Sequence, residues 1–170
     1  MVAVTGSPDC PVILDRRRVQ IAEAPSSGPI QPYHTARDLG VERGRVFLDQ
    51  CRKASQALAC AALETAIKNI GGDRVQCCAV LTGSGRASPT LEATLASHAA
   101  IHTAEGEFFR AIVCHAGESC ALRVRRIREK ELFKLAESRF EMPPAKLSEC
   151  WTNCEKSSGR RGSRTRNSPR

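Results

Sequence analysis

A nearly continuous apolar run in the middle of the chain does most to constrain the fold. The run VQCCAVLTG, Val75 to Gly83, is typical of a strand buried on both faces. Apolar residues at three- and four-residue steps precede it from Glu42 to Ile70 and follow it from Thr90 to Glu118, which predicts two long helices. This order of helix, buried strand and helix predicts an α/β protein with a sheet between helical layers.

Shorter patterns predict the remaining elements. MVAVTG at the start of the chain indicates a strand, and two further apolar pieces, Val12 to Leu14 and Val19 to Ala22, form either one long strand or a hairpin. ALRVRRI, from Ala121 to Ile127, predicts another strand, and REKELFKLAESRF, from Arg128 to Phe140, predicts a third long helix. The expected architecture is a three-layer mixed sheet with the order β-β-β-α-β-α-β-α.

This element order resembles the ribonuclease H-like fold, including its Holliday-junction-resolvase branch, over a single domain at residues 1–140. The resemblance implies phosphodiester cleavage by clustered carboxylates that hold metal ions. Active members carry an aspartate in the first strand and MVAVTG has none, so no catalytic residue is transferred. The pattern made by Pro32-Tyr33-His34, Gly83 to Arg86 and Leu91 to Arg110 is also similar to uncharacterised bacterial proteins.

Positive charge is concentrated at the carboxyl-terminal end. Of a formal net charge of +8, the segment from Glu155 to Arg170 contributes +5 through six cations and one anion. Its Arg, Ser and Gly residues cannot bury apolar surface, and we expect a disordered basic tail over residues 141–170. Such a tail either attracts nucleic acid and other anions or is a solvated end without a role.

The apolar content and the cysteines indicate the environment of the protein. No segment approaches the roughly 18 apolar residues of a membrane span, and the first residues lack the pattern of a secretory signal. The nine cysteines contain no C-x2-C pair, and we expect them to be small buried thiols. These features predict a soluble cytoplasmic protein that does not bind a membrane, and they leave cofactor and oligomeric state unspecified.

The helix predicted from Thr90 to Glu118 carries polar residues on its apolar side. At about 100° per residue, His98, His102 and Glu105 fall in one arc of about 100° together with Leu and Phe side chains. We therefore expect these three side chains to face the sheet, where burial requires hydrogen-bond or ionic partners. His34, in the loop sequence QPYH, is expected to join them if the loop folds over the helix.

Three interpretations of this His/Glu cluster remain open. It is a structural polar network, a site of general acid–base catalysis in which Glu105 orients a histidine, or a metal site. The metal interpretation depends on the i,i+4 spacing of His98 and His102, which lets two imidazoles share one ion. The predicted catalytic residues are His34, His98, His102 and Glu105, and no residue is assigned to a metal.

The glycine-rich segment Thr82 to Pro89 is a second candidate site. It joins the end of a strand to the start of a helix, where free backbone N–H groups attract anions. Arg86 adds guanidinium donors, although the segment lacks the lysine and the length of a Walker loop. Gly83, Ser84, Gly85 and Arg86 are therefore predicted to bind an anion. Ligands of α/β sheets gather at this end of the strands.

Two functions are compatible with these features. In the first, the protein is an enzyme of unspecified reaction that uses the inward-facing His/Glu cluster on an anionic small molecule held by the glycine-rich loop. In the second, it is a non-catalytic ribonuclease H-like module that binds nucleic acid or a protein through arginines of the body and tail. The inward-facing histidines favour the first.

Overall fold

The structure, a computed structural model, describes residues 1–7, 10–23, 28–71, 75–83, 85 and 88–143, and a few isolated positions between 145 and 152. These residues form a mixed α/β protein in which helix predominates. The chain divides into two compact units, one made of Met1–Arg17 and Phe133–Arg170 and the other of Arg18–Leu132. The single domain expected over residues 1–140 stays a prediction.

The first unit contains an antiparallel pair of strands and the last helix. Strand β1 (Val2–Ser7) pairs with β2 (Cys10–Arg16), with an irregularity in the ladder between Ala3 and Val4. Helix α5 (Leu132–Phe140) covers the second half of the helix expected from Arg128, and a 3-10 turn at Glu129–Glu131 precedes it. The pattern of residues 128–140 therefore predicted a longer helix than the one that forms.

The third strand expected before the first helix does not form at Val19 to Ala22. The antiparallel ladder ends where the N–H of Arg17 donates to the carbonyl of Met1 at 3.1 Å. Beyond that residue the chain enters the second unit, and the Ile21 side chain packs against a helical core cluster instead of a sheet. Packing of this apolar residue on helices replaces the strand pairing that its pattern predicted.

The second unit consists of helices and a parallel pair of strands. The elements in chain order are α1 (Pro32–Leu39), α2 (Val41–Asn69), β3 (Cys77–Thr82), α3 (Leu91–Leu95), α4 (His98–Ser119) and β4 (Arg123–Arg128). Helix α2 and strand β3 lie within about two residues of their predicted bounds. Helix α1 begins at Pro32, so His34 is helical and not in a loop as the sequence QPYH predicted, because proline at the first helical position needs no N–H partner.

The strands of the described residues pair as two separate two-stranded sheets. In the second unit, β3 and β4 are parallel from Cys77↔Arg123 to Thr82↔Arg128, and α3 and α4 form the connection between them. This βαβ unit has the strand–helix–strand alternation that the sequence predicted. The described residues do not confirm the expected three-layer mixed sheet or its ribonuclease H-like order.

A close contact joins α4 to this parallel pair of strands. A Cβ atom built at Gly117 would lie 2.8 Å from Cγ2 of Val124 and 3.4 Å from Cβ of Cys78. The absence of a side chain at Gly117 therefore lets the carboxyl-terminal half of α4 approach the first halves of both strands. Because α4 runs back along the sheet from there, its amino-terminal half extends toward the carboxyl ends of the strands.

The core of the second unit combines small and large apolar side chains. One cluster joins α2 and α4 and contains Cys51, Ala59, Phe108, Ile112 and Ala116. A second cluster joins α1, α2 and α3 through Ala36, Leu48 and Leu95. A Cβ at Gly44 would lie 2.7 Å from the carbonyl oxygen of Ala36, so glycine permits α1 and α2 to pack at short range.

The second long helix expected from Thr90 to Glu118 is interrupted at Ala96 and Ser97. Ser97 has extended backbone angles, φ −126° and ψ 119°, and its side chain accepts a hydrogen bond from the N–H of Ala100. Thr90 caps α3 in the same way through the N–H of Ala93. Two N-caps seven residues apart start two helices, where one continuous apolar pattern predicted a single helix.

The cysteines of the described residues differ in their burial. The seven cysteines within the described residues are free thiols, of which Cys51 and Cys114 are buried, while Cys10 and Cys77 are exposed, contrary to the expectation of burial. Burial raises the pKa of the Cys51 and Cys78 thiols.

No helix in the described part of the chain has both the length and the apolar character needed to cross a bilayer. Most of the expected tail, residues 141–170, lies outside the described residues.

Candidate metal centre

Three of the four histidines of the chain meet where α1 contacts the start of α4. One ring nitrogen from each of His34, His98 and His102 lies within 4.8 Å of the others. The Nε2 atoms of His98 and His102 are 3.0 Å apart, and the His34 ring centroid is 5.5 Å and 5.1 Å from those of His98 and His102. The structure therefore brings together residues that are 64 positions apart in the sequence.

Glu105 connects the two helices through a single carboxylate oxygen. Its Oε1 atom lies 2.9 Å from Nδ1 of His34 and accepts a hydrogen bond from the His34 backbone N–H at 3.3 Å. His34 is the third residue of α1, so its N–H has no partner within the helix, and the N-cap residue Gln31 makes no side-chain capping bond. Glu105 therefore caps α1 and also fixes the orientation of the His34 ring.

The expectation that the histidines of α4 face inward is wrong. His98 and His102 are exposed, whereas Glu105 and His34 are largely buried, with 12% and 18% of their side chains accessible. The predicted arc was calculated from Leu91 as if one continuous helix ran from Thr90 to Glu118. Because α4 starts anew at Ser97, the angular positions of its side chains cannot be counted from Leu91. Within α4 the buried stripe is Ile101, Phe108 and Ile112, and His102 lies about 100° from its centre.

The short distance between the Nε2 atoms of His98 and His102 is compatible with a shared proton or a shared cation. At 3.0 Å, one Nε2 atom carries a hydrogen that the other accepts, and the tautomers decide which. A cation bound by both lone pairs is the other arrangement that makes such a short approach favourable. The cluster can therefore share a proton or hold a metal ion. Both were among the interpretations left open by the sequence.

The fourth histidine is separate from the cluster. His115 is exposed on α4, and its Nε2 atom lies 3.5 Å from the Ser119 hydroxyl oxygen. It has neither a second histidine nor a carboxylate among its described contacts. At about 100° per residue, His115 lies on a different side of α4 from His98 and His102.

The glycine-rich loop lies against the neighbouring face of α4. A Cβ at Gly83 would lie 3.0 Å from a guanidinium nitrogen of Arg110, and one at Gly85 would lie 2.5 Å from the Thr103 side chain. Ser84 and Arg86 lie outside the described residues. The helix that follows the loop, α3, has five residues rather than the long helix on which the dipole argument depended. Anion binding by Gly83, Ser84, Gly85 and Arg86 stays a prediction.

A partly buried Tyr–Arg pair beside the cluster was missed by the sequence analysis. Arg52 lies over the Phe108 ring, with its guanidinium carbon 5.2 Å from the centroid, and Tyr33 makes an edge-on contact with the same ring at 6.0 Å. Burial raises the pKa of Tyr33, partly offset by its hydrogen bond and charge interaction with Arg52. Tyr33 directly precedes His34, so this packing also fixes the start of α1.

Comparison with other proteins gives no assignment. No protein-family profile, no curated protein and no solved structure matches this chain. The functional argument therefore rests on the geometry of the three histidines and Glu105.

Proposed function

We propose that the protein binds a divalent transition-metal ion, of which zinc is the best candidate, through His34, His98 and His102, and that it is a metal-dependent enzyme. The observation that carries this proposal is the convergence of three imidazoles, one of which is held by a largely buried carboxylate. Imidazole nitrogen is a preferred ligand of zinc, and three protein ligands with an open fourth position are typical of catalytic sites.

The distances need only small side-chain movements to fit a metal ion. Ligand nitrogens about 2.0–2.1 Å from zinc in tetrahedral geometry are separated from one another by about 3.3 Å. The 3.0 Å between His98 and His102 is close to this value, and the 4.8 Å limit for the full set requires an approach of about 1.5 Å at most. Exposed histidine side chains on a helix surface reach such positions by rotation about their side-chain torsions.

Glu105 provides the support that metal-binding histidines usually have. A ligand histidine commonly donates its second ring N–H to a carboxylate, which fixes the tautomer and strengthens the ligand. Here Nδ1 of His34 is engaged by Oε1 of Glu105 at 2.9 Å, which leaves Nε2 as the metal ligand. Because the same oxygen also accepts the His34 backbone N–H, the ring and the helix start are held together.

The exposure of the α4 histidines indicates the chemistry. His98 and His102 are open to solvent, so a metal held there keeps at least one position for water or substrate. Zinc held by His34, His98 and His102 would supply an activated water for hydrolysis. Metal-assisted hydrolysis of an anionic small molecule is therefore the reaction class we propose, with Glu105 as a positioning residue.

Acid–base catalysis without a metal and a purely structural network are the competing interpretations of the cluster. Both require only the hydrogen bonds already described, and both predict that metal ions bind no more tightly here than at other surface histidines. Ribonuclease H-like architecture, nucleic-acid or protein binding by the whole body, and a cytoplasmic location also stay predictions. The βαβ unit supports only the α/β class of the fold.

The test measures Co²⁺ and Zn²⁺ binding to the purified full-length chain and to two single-histidine variants. We expect one equivalent of metal on the unaltered protein, with a tetrahedral Co²⁺ spectrum free of thiolate charge-transfer bands. His102→Ala is expected to abolish this site, and His115→Ala, a matched control on the same helix, is expected to retain it. Metal binding that survives His102→Ala, that shows thiolate bands, or that is absent altogether contradicts the proposal.

A further inference from the structure

Strand β4 presents an unusual concentration of positive charge. Its sequence RVRRIR places Arg123, Arg125, Arg126 and Arg128 within six residues, and all four are exposed. The paired strand β3, Cys77–Thr82, contains no charged residue. Because side chains alternate along a strand, Arg123 and Arg125 lie on one face of β4 and Arg126 and Arg128 lie on the other, and we call these four residues the β4 arginine strip.

Carboxylates do little to neutralise this strip. Of the four arginines of the strip, only Arg128 has an ion-pair partner within the described part of the chain. That partner is Glu131, the N–O distance is long at 3.5 Å, and both side chains are exposed. By contrast, Arg37, Arg45 and Arg110 of the same unit each have a carboxylate partner at 3.0–3.4 Å. The strip thus retains an excess of donors for an external anion.

The arrangement of the guanidinium groups fits a linear polyanion. The two arginines on each face of β4 are about 6.6–6.8 Å apart, and the two pairs together span about 17 Å along the strand. Guanidinium groups bind phosphate oxygens through paired hydrogen bonds. Neighbouring phosphates of a nucleic-acid strand have a spacing comparable to that within one pair, and a single small anion would engage the arginines of one face only.

We propose that the β4 arginine strip binds the phosphate backbone of double-stranded nucleic acid without sequence specificity. Proteins that bind single strands usually stack bases on aromatic side chains, and β3 and β4 contain no aromatic residue. Backbone contacts from arginine suffice for a duplex, because its phosphates line both strands at high density. This inference does not depend on metal binding by the three histidines.

The experiment compares two full-length variants that lose the same number of positive charges. One carries Arg123→Gln, Arg125→Gln, Arg126→Gln and Arg128→Gln. The control carries Arg37→Gln, Arg43→Gln, Lys53→Gln and Lys68→Gln, which remove exposed cations of α1 and α2. Both variants keep the basic segment Glu155–Arg170, so that its contribution cancels. Circular dichroism verifies that each variant folds.

Binding to a random-sequence DNA duplex is measured by fluorescence anisotropy across a series of salt concentrations. The slope of log K against log salt changes by about 0.9 for each phosphate that an arginine no longer neutralises, so the strip variant is expected to show a slope smaller by about 2–4. The slope of the control is expected to fall by less than about 1. Equal reductions in the two variants, or no reduction in the strip variant, overturn the proposal.

Two further arms identify the anion. Single-stranded DNA of the same length and anionic phospholipid vesicles are compared with the duplex at equal phosphate concentration. Tighter binding to either of them than to the duplex overturns the assignment to double-stranded nucleic acid. If the strip variant aggregates while its affinity is unchanged, the arginines serve only to protect an edge strand, and the proposal is likewise wrong.

Discussion

Both halves of α4 bury apolar side chains, but they differ in what lies beside those side chains. In the amino-terminal half, His98 and His102 are exposed and Glu105 bonds to α1. In the carboxyl-terminal half, Ile112 and Cys114 are each 1% exposed, and Gly117 contacts both strands of the parallel pair. One helix thus carries a polar cluster beyond the ends of the strands and a packed seam beside them.

This difference shows how the protein holds three imidazoles together at small cost. Burial of polar groups is expensive unless every one is hydrogen-bonded, and only Glu105 and His34 of this cluster are largely withdrawn from water. His98 and His102 keep their hydration. We conclude that buried side chains in both halves stabilise α4, while the exposed histidines of the amino-terminal half can be changed for binding without loss of the fold.

The largest expected effect comes from truncating a buried side chain of α4. Ile112→Ala removes a fully buried side chain from the cluster that joins α2 and α4, and we expect the free energy of unfolding to fall by about 2–5 kcal/mol. His102→Ala, at an exposed position of the amino-terminal half, is expected to change it by less than about 0.5 kcal/mol in metal-free protein. Urea denaturation of both variants measures the contrast. Similar losses would mean that the exposed histidine contributes to folding as much as the buried isoleucine does.

A smaller effect is expected from replacing Glu105, the carboxylate that joins α1 and α4 at the candidate metal centre. Glu105→Gln keeps an oxygen that can cap α1 but removes the charge that supports His34, and we expect metal affinity to fall by about 10–100-fold. Glu107→Gln is the matched control, because Glu107 pairs with Arg110 on another face of α4. Isothermal titration with zinc measures both. An equal loss in the control would show that general charge, rather than the Glu105–His34 bond, sets the affinity.

The smallest effect distinguishes two glycines of α4 by what surrounds them. At Gly117 an added Cβ meets Val124 at 2.8 Å, and both belong to packed elements, so Gly117→Ala is expected to destabilise by about 1–2 kcal/mol. At Gly106 the nearest atom, also at 2.8 Å, is the end of the flexible Arg110 side chain. Gly106→Ala is therefore expected to stabilise by about 0.5–1 kcal/mol through helix propensity. Thermal unfolding tests the opposite signs, and a shared sign removes the contrast.

The sequence predicted the parts of the fold that depend on local pattern and short-range connection. The repeat from Glu42 to Ile70 and the apolar run after it determine α2 and β3 almost completely. The sequence predicted one sheet, whereas the described strands form two two-stranded sheets. Strand pairing depends on partners distant in sequence, and Ile21 packs on helices instead of joining a sheet. The resemblance to a ribonuclease H-like order depends on such pairing and stays a prediction.

The candidate site shows the same division. His34, His98, His102 and Glu105 were selected from their spacing and residue types, and the structure brings the four together. Their orientation could not be obtained from a continuous helical wheel, because Ser97 supplies an extended residue and a second N-cap. A serine directly before the alanine-rich first turn of α4 was the available signal for that restart. No local signal pointed to Arg52 and Tyr33, which meet only through tertiary packing.

The bond between His34 and Glu105 spans 71 positions of the chain, which gives an ion at this centre a mechanical consequence. A metal bound as proposed, with one ligand from α1 and two from α4, would act as a removable cross-link across that long loop. It would stabilise the folded chain, where the ligands lie together, and would add to the packing of α1 on α2. Chelation would therefore weaken the attachment of α1 to α4 and leave its contact with α2 in place.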